Sequence, residues 1–201
     1  MYKKTRLIKA LTILVMMVAI SFSEPGFGQM LQVGENDLNL GVGFGSPWII
    51  PGYNTKLPLL SVSLDHGLRD DWGNGILTVG GLIGITQYAQ EEKWMSVLGG
   101  ETYEYGYKYT STLFAARATY HYELFNGFDT YAGLMGGLRI NTHKHYGTWP
   151  TGPSTVAPDK NLLPLGRVFI GARYGFSERV ACFAELGYGF TYFNLGVSVR
   201  L

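Results

Sequence analysis

The sequence predicts an all-β fold: an eight-stranded antiparallel up-and-down transmembrane β-barrel, preceded by a cleavable signal peptide. Three observations lead there. Apolar residues alternate with polar residues or glycine in about eight segments, the two-residue period of a strand whose faces meet different surroundings. Beyond the first thirty residues, no stretch holds the ~18 uninterrupted apolar residues that a spanning helix needs. The connections between segments are short at one end and mostly longer at the other, the asymmetry of barrels that cross a membrane.

The N-terminus carries Lys3, Lys4, Arg6 and Lys9, an apolar run from Ala10 to Ile20, and then small and polar residues, the three parts of a secretory leader. The run is shorter than the ~20 residues of a membrane-spanning helix. Cleavage is expected after Ser23 or after Gly28; the second choice gives a leader over 1–28 and a barrel domain over 29–201. Losing 1–28 removes four of the sixteen basic residues and one of the fifteen acidic ones, leaving twelve against fourteen. A mildly acidic chain has no polybasic signal for nucleic acid. A single cysteine, Cys182, excludes an intramolecular disulfide and a cysteine metal cage.

The segments follow in order. Leu38, Leu40, Val42 and Phe44 oppose Asn39, Gly41 and Gly43; Leu60, Val62 and Leu64 oppose Ser61, Ser63 and Asp65. Leu77, Val79, Ile83 and Ile85 oppose Thr78, Gly80, Gly84 and Thr86, with Leu82 as an interruption. Phe114, Ala116, Ala118 and Tyr120 oppose Arg117, Thr119 and His121. The fifth and sixth segments set Ala132, Leu134, Leu138 and Ile140 against Tyr131, Gly133, Gly137 and Arg139, then Val168, Ile170, Ala172 and Tyr174 against Arg167, Gly171 and Arg173. The last two set Cys182, Ala184, Leu186 and Tyr188 against Glu185, Gly187 and Gly189, and Phe193, Leu195, Val197, Val199 and Leu201 against Asn194, Gly196, Ser198 and Arg200. One face suits lipid; the other is polar or glycine.

A soluble sandwich also alternates, so the connections decide. Inner turns are expected near His66–Asn74, Glu123–Asp129 and Phe176–Arg179. Outer loops are expected near Ser46–Lys56, Gln87–Glu104 and Asn141–Asn161, with a tight fourth around Phe190–Tyr192. The prolines after the leader fall in or beside the first and third outer loops, where no ladder needs their missing N–H. Aromatics gather at the segment ends, Trp72, Tyr120, Tyr122, Phe125, Phe128, Tyr174 and Phe176 at one rim. Tyr88, Tyr107, Tyr109, Tyr188, Phe190 and Tyr192 lie at the other, as two interfacial girdles would.

The final octet, Asn194-Leu195-Gly196-Val197-Ser198-Val199-Arg200-Leu201, is similar to the C-terminal assembly signal of outer-membrane barrels, with Val199 and Leu201 where an aromatic usually closes it. The stretches ARATYHYEL, DTYAGLMGGLRI and VFIGARYGFSERVACFAELGYGF resemble the small eight-stranded barrels of the OmpA/OmpX type. The resemblance runs from about Asp37 to Leu201. It implies a Gram-negative outer-membrane location, contact with outer-membrane lipid and lipopolysaccharide, and recognition of the last strand by the barrel assembly machinery.

An eight-stranded barrel is just wide enough for its own side chains, so no open pore is expected. Strand parity places Asp65, Arg117, His121, Arg139, Arg167, Arg173, Glu185 and Arg200 in the lumen. Buried guanidinium groups need partners, and Glu185 and Asp65 are expected to bridge neighbouring arginines. Arg173 and Arg200, on the strands flanking Glu185, are its expected partners. The alternative is a narrow anion path lined by arginine.

Tyr103, Tyr105, Tyr107 and Tyr109 alternate on one face of a projecting strand and, with Trp94 and Trp149, could form a contact surface for a glycan or a protein. His143 and His145 form half of a metal site without a third ligand. Lipid A deacylases and acyltransferases occur among small outer-membrane barrels and use a serine and a histidine near the outer rim. Here the rim histidines lie in a loop without a serine partner placed on the same face, Thr142 and Ser154 being candidates by name only. The expectation is a non-enzymatic barrel with structural or surface-interaction duties, no cofactor and no metal, the alternatives being a lipid A-modifying enzyme or a narrow channel.

Overall fold

The computed structural model describes residues 31–47, 52–70, 73–95, 102–147 and 159–201. The expected leader and the two tryptophans Trp72 and Trp149 lie outside them. Strands β1 (Asn36–Phe44), β2 (Asn54–Arg69), β3 (Ile76–Met95), β4 (Thr102–Phe125), β5 (Phe128–Gly147), β6 (Asp159–Gly175), β7 (Val180–Tyr188) and β8 (Phe193–Arg200) follow one another round a closed barrel. Each is antiparallel to the next, and β8 returns to β1 through the register Leu38↔Val199 and Val42↔Leu195. Through the body of the barrel, closure leaves the ladder without the free edges that an open sheet must protect.

Short turns join β2 to β3, β4 to β5 and β6 to β7 at one end. The tightest is Asn126-Gly127, where Gly127 takes φ +80° and its N–H donates to Glu123 Oε1 at 3.2 Å. Only glycine enters that left-handed region without steric cost. At the opposite end β3 and β4 stay paired in register out to Met95↔Thr102. The expected loop Gln87–Glu104 is therefore mostly a strand hairpin. Its residues hold no proline and include Thr, Tyr and Trp, which favour extended backbone.

The two faces of the wall have the reverse of a soluble protein's polarity. Leu134 (61% exposed), Val168, Ile170 (62%) and Ile83 (58%) point outward, while Asp65, His121, Glu185 and Arg167 are buried within. The parity read from each segment therefore gives the side each residue faces. Leu82 does not interrupt it: Leu82 continues the inward row of Thr78, Gly84 and Thr86, and is buried in an apolar lumen cluster with Leu113, Met135 and Phe169. The inward glycines make room for rings. Gly171 and Gly196 leave the spaces that Tyr131 and Phe183 occupy, and a Cβ at either position would overlap the ring.

Parity also corrects one girdle. Tyr122, Phe125, Tyr174 and Phe176 are exposed at the short-turn end, and Tyr188 and Tyr192 are exposed at the other. Tyr88, Tyr109 and Phe190 instead line a cavity inside the long-loop end. Tyr88 and Tyr109 stand in the inward rows of Thr86 and Ser111, so nearness to a strand end did not decide which way they point.

The wall is uneven in height. β1, β7 and β8 have nine, nine and eight residues, against sixteen to twenty-four in β2 to β6. Pairing of β6 with β7 runs only from Val168↔Tyr188, and pairing of β1 with β2 stops at Gly43↔Leu59. Among the described residues, Asp159–Arg167 of β6 and Asn54–Pro58 of β2 thus rise above the wall made by β7, β8 and β1. Pro164 and Pro58 lie in these two raised stretches, where a missing donor does least harm.

Candidate functional site

The barrel's interior is filled from the short-turn end by layers of paired charge. In the first, Asp37 at the start of β1 receives Arg173 from β6, and Arg200 Nε from β8 at 3.3 Å; Arg200 also lies 3.3 Å from Glu35. Residues 31–35 fold against this end: Gly34 N donates to Gly67 O at 2.8 Å, Gly67 N to Glu35 O at 3.0 Å, and Leu31 is completely buried.

The second layer crosses the lumen. Arg117 on β4 meets Asp65 on β2 at 3.1 Å and Glu185 on β7 at 3.2 Å, and Arg167 on β6 meets the other oxygen of Glu185 at 2.6 Å. Tyr131 and Asn194 also donate to Glu185, at 3.3 Å each. Phe169 lies between the two guanidinium groups, 5.1 Å from Arg117 and 4.8 Å from Arg167, close enough for cation–π attraction. Each buried charge in this layer has an opposite charge beside it, as low-dielectric surroundings require.

Asp65, Arg117, Arg167 and Glu185 thus form one cluster, and Arg173 and Arg200 a second centred on Asp37. The expected pairing of Glu185 with Arg173 and Arg200 is corrected. Strands in a small barrel tilt and stagger, so Glu185 meets Arg117 from across the lumen on β4, and on the adjacent β6 it meets Arg167 towards the long loops rather than Arg173. Arg139 joins neither cluster; it is half-buried in the cavity towards the long loops. Asp37, Asp129 and Tyr131 were missed as members. Asp37 and Asp129 continue the inward rows of Asn39 and Tyr131, but Asp37 precedes the first alternating residue, Leu38, and Asp129 lies in the expected turn Glu123–Asp129.

A further chain of hydrogen bonds links Asp129 Oδ2 to His121 Nδ1 (2.8 Å) and His121 Nε2 to Thr119 Oγ1 (2.9 Å), with Thr119 bonded in turn to Thr78. Carboxylate, imidazole and hydroxyl stand in the order that activates a nucleophile. Thr119 and Thr78 are both buried, however, and each hydroxyl faces the other, so no position beside Thr119 is open to a carbonyl. The chain acts as packing in the lumen.

Above the second layer, on the long-loop side, lies a cavity of about 920 Å³. Its floor is Arg167 and Met135; Leu59, Leu113 and Phe190 form apolar wall, and Arg139 lies with Thr86, Ser111 and Asn141 on a polar wall. Tyr53 stands at its mouth, 5.8 Å edge-on from Tyr109, and burial followed by the nearby Tyr109 and Tyr107 raises the Tyr53 phenol above its ordinary range. The lining also includes Leu134, Gly166, Val168 and Tyr188, whose positions face outside the barrel. The cavity therefore passes over the low wall between β6 and β7.

Of the expected surface aromatics, Tyr107 is exposed on β4. Trp94, Tyr103 and Tyr105 belong to the β3–β4 extension, where Trp94 and Tyr103 are register partners; their side chains lie outside the described residues, as does Trp149. His143 packs on the Tyr109 ring with centroids 3.5 Å apart. Among the described residues, no three His, Cys, Asp or Glu side chains gather as metal ligands.

No protein-family model matches the chain, and no curated protein matches it. Two solved structures are similar to it. The N-terminal β-barrel domain of Pseudomonas aeruginosa OprF aligns over 84% of this chain and 98% of its own, at 13% identity and a TM-score of 0.48. Ail, the attachment invasion locus protein of Yersinia pestis, in complex with the heparin analogue sucrose octasulfate, aligns over 85% of this chain and 100% of its own, at 14% identity and a TM-score of 0.49.

Proposed function

We propose that this chain is an integral outer-membrane protein, exported by the leader over 1–28, whose barrel is closed by its own side chains. Its long-loop end, in this reading, faces outward for contact with a glycan or a protein. The observation that carries the reading is the reversed polarity of the wall: large aliphatic side chains cover the outside while paired charges fill the inside. Water would solvate neither arrangement well, because a continuous apolar belt is far larger than the patches of soluble monomers. A bilayer suits both, since a closed barrel satisfies every backbone group internally.

The lumen supports a structural role over conduction. Arg117, Glu185 and Arg167 span it from β4 to β6 and β7, and an ion would have to break those pairs to pass. The carboxylate–imidazole–hydroxyl chain from Asp129 through His121 to Thr119 is buried in the lumen, which favours a non-enzymatic role over lipid A modification. Lipopolysaccharide and phospholipid would cover the belt, and the assembly machinery would take β8 first.

The test is fractionation of cells expressing the full chain, followed by electrophoresis without boiling. The protein should sediment with outer membranes and run as a compact band that shifts on heating. Recovery in the soluble fraction, or a band insensitive to heat, would overturn the reading.

A further inference from the structure

We propose that the cavity on the long-loop side binds a small organic carboxylate with a ring-sized apolar body, the carboxylate resting on Arg139. Arg139 stands in the inward row of β5 between its register partners Leu113 on β4 and Leu163 on β6. It lines the cavity and is only half-buried, so the side chain keeps surface that a ligand can reach. A planar guanidinium fork matches the two oxygens of a carboxylate and gains more from them than from a neutral acceptor. Among the described residues no Asp or Glu lines the cavity, so none repels an anion there.

The rest of the lining specifies what the carboxylate is attached to. The polar wall spends its hydroxyl donors on itself: Ser111 Oγ donates to Asn141 Oδ1 at 2.7 Å, and Thr86 Oγ1 to the carbonyl of Leu57 at 3.0 Å. Little is left there for the many hydroxyls of a sugar, and a hydroxyl buried without a partner is costly. Beside and below Arg139 the surface is instead apolar, from Leu113, Leu163, Met135 and Phe190. Tyr88 and Tyr109, register partners on β3 and β4, and Tyr53, edge-on to Tyr109, add three rings towards the mouth. A flat apolar ring packs well against aromatic edges and against the Met135 thioether. A volume of about 920 Å³ lies within the roughly 300–1,000 Å³ of small-molecule sites. Below, the pairs of Glu185 with Arg117 and Arg167 close the lumen, so the cavity is a cup that holds its ligand rather than a passage.

Ligand binding is read separately from the structural role above, because heat modifiability reports the fold of every variant. The barrel in phospholipid nanodiscs is titrated with naphthoate by calorimetry, with empty discs as the blank and with neutral naphthamide and the sugar acid glucuronate as comparisons. Naphthoate should bind saturably and about tenfold or more tighter than naphthamide, the worth of a charge-assisted pair over a neutral one. Glucuronate should not compete. Arg139→Gln should bring the affinity for naphthoate down to that for naphthamide and leave naphthamide unchanged. Leu163→Trp should weaken both ligands by filling the space beside Arg139. Arg139 and Leu163 are both partly exposed, so both variants should fold. Absence of saturable naphthoate binding, equal binding of naphthamide, competition by glucuronate, or unchanged naphthoate affinity in a folded Arg139→Gln or Leu163→Trp barrel would overturn the proposal.

Discussion

Glu185 shows how one carboxylate can organise a narrow interior. It has two guanidinium groups, one phenol and one amide as partners, all contributed by other strands. Removing one partner of a buried ionic cluster costs about 3–5 kcal/mol, because the remaining charges stay buried and unpaired. Glu185→Ala should therefore lower the urea unfolding midpoint in lipid vesicles well below that of Glu178→Ala, which changes an exposed turn residue. Equal midpoints would mean that the cluster contributes nothing to stability. Gly171 is the corresponding case for packing. Any side chain there must displace Tyr131, so Gly171→Val should cost about 1–3 kcal/mol through overpacking, read in the same unfolding assay. The inward parity of both residues was legible in the sequence; their partners were not, because partners depend on stagger.

The strands differ in what they can lose. β7 and β8 carry Glu185 and Asn194 and close the barrel against β1, so shortening either removes lumen contacts and closure together. The β3–β4 hairpin continues its ladder beyond the body of the barrel to Met95↔Thr102, and among the described residues it has no other ladder partner beyond Ala89 on β3 and Tyr105 on β4. Replacing residues 92–104 by a two-residue turn should leave the heat-modifiable band intact, whereas removing the last two residues of β8 should abolish it. If the hairpin deletion also prevented folding, the extension would be part of the barrel's core rather than an appendage. The sequence had marked residues 87–104 as an outer loop that leads into an alternating tyrosine run. That run was read as one face of a projecting strand, and the strand in fact reaches back to Thr102 and pairs with β3 to Met95.

At the scale of the molecule, the plug and the topology make two further predictions. The purified barrel in planar bilayers should show no stable open-channel steps, since Arg117, Glu185 and Arg167 close the lumen by direct contact; reproducible anion-selective steps would favour the arginine-lined path instead. Tags inserted at Tyr53, Gly100 or Gly152 should bind antibody on intact cells, and tags at Gly73 or Gly127 only after the outer membrane is permeabilised. The reverse pattern would invert the orientation while leaving the fold untouched.

The sequence by itself determined the strand count, the chain order and the side that the residues of the alternating segments face, because all three follow from a period of two repeated between turn signals. Even Leu82, which looked out of place, obeys that period. What only the tertiary structure decided is which inward residues meet. Closing a tilted sheet brings together positions far apart in the chain, so that Glu185 finds Arg117 rather than Arg173, and Asp37 takes Arg173 and Arg200 instead. The cavity over Arg167 was equally invisible, because it arises from a difference in strand heights. Periodicity is a property of each strand alone, whereas stagger and height belong to the closed barrel.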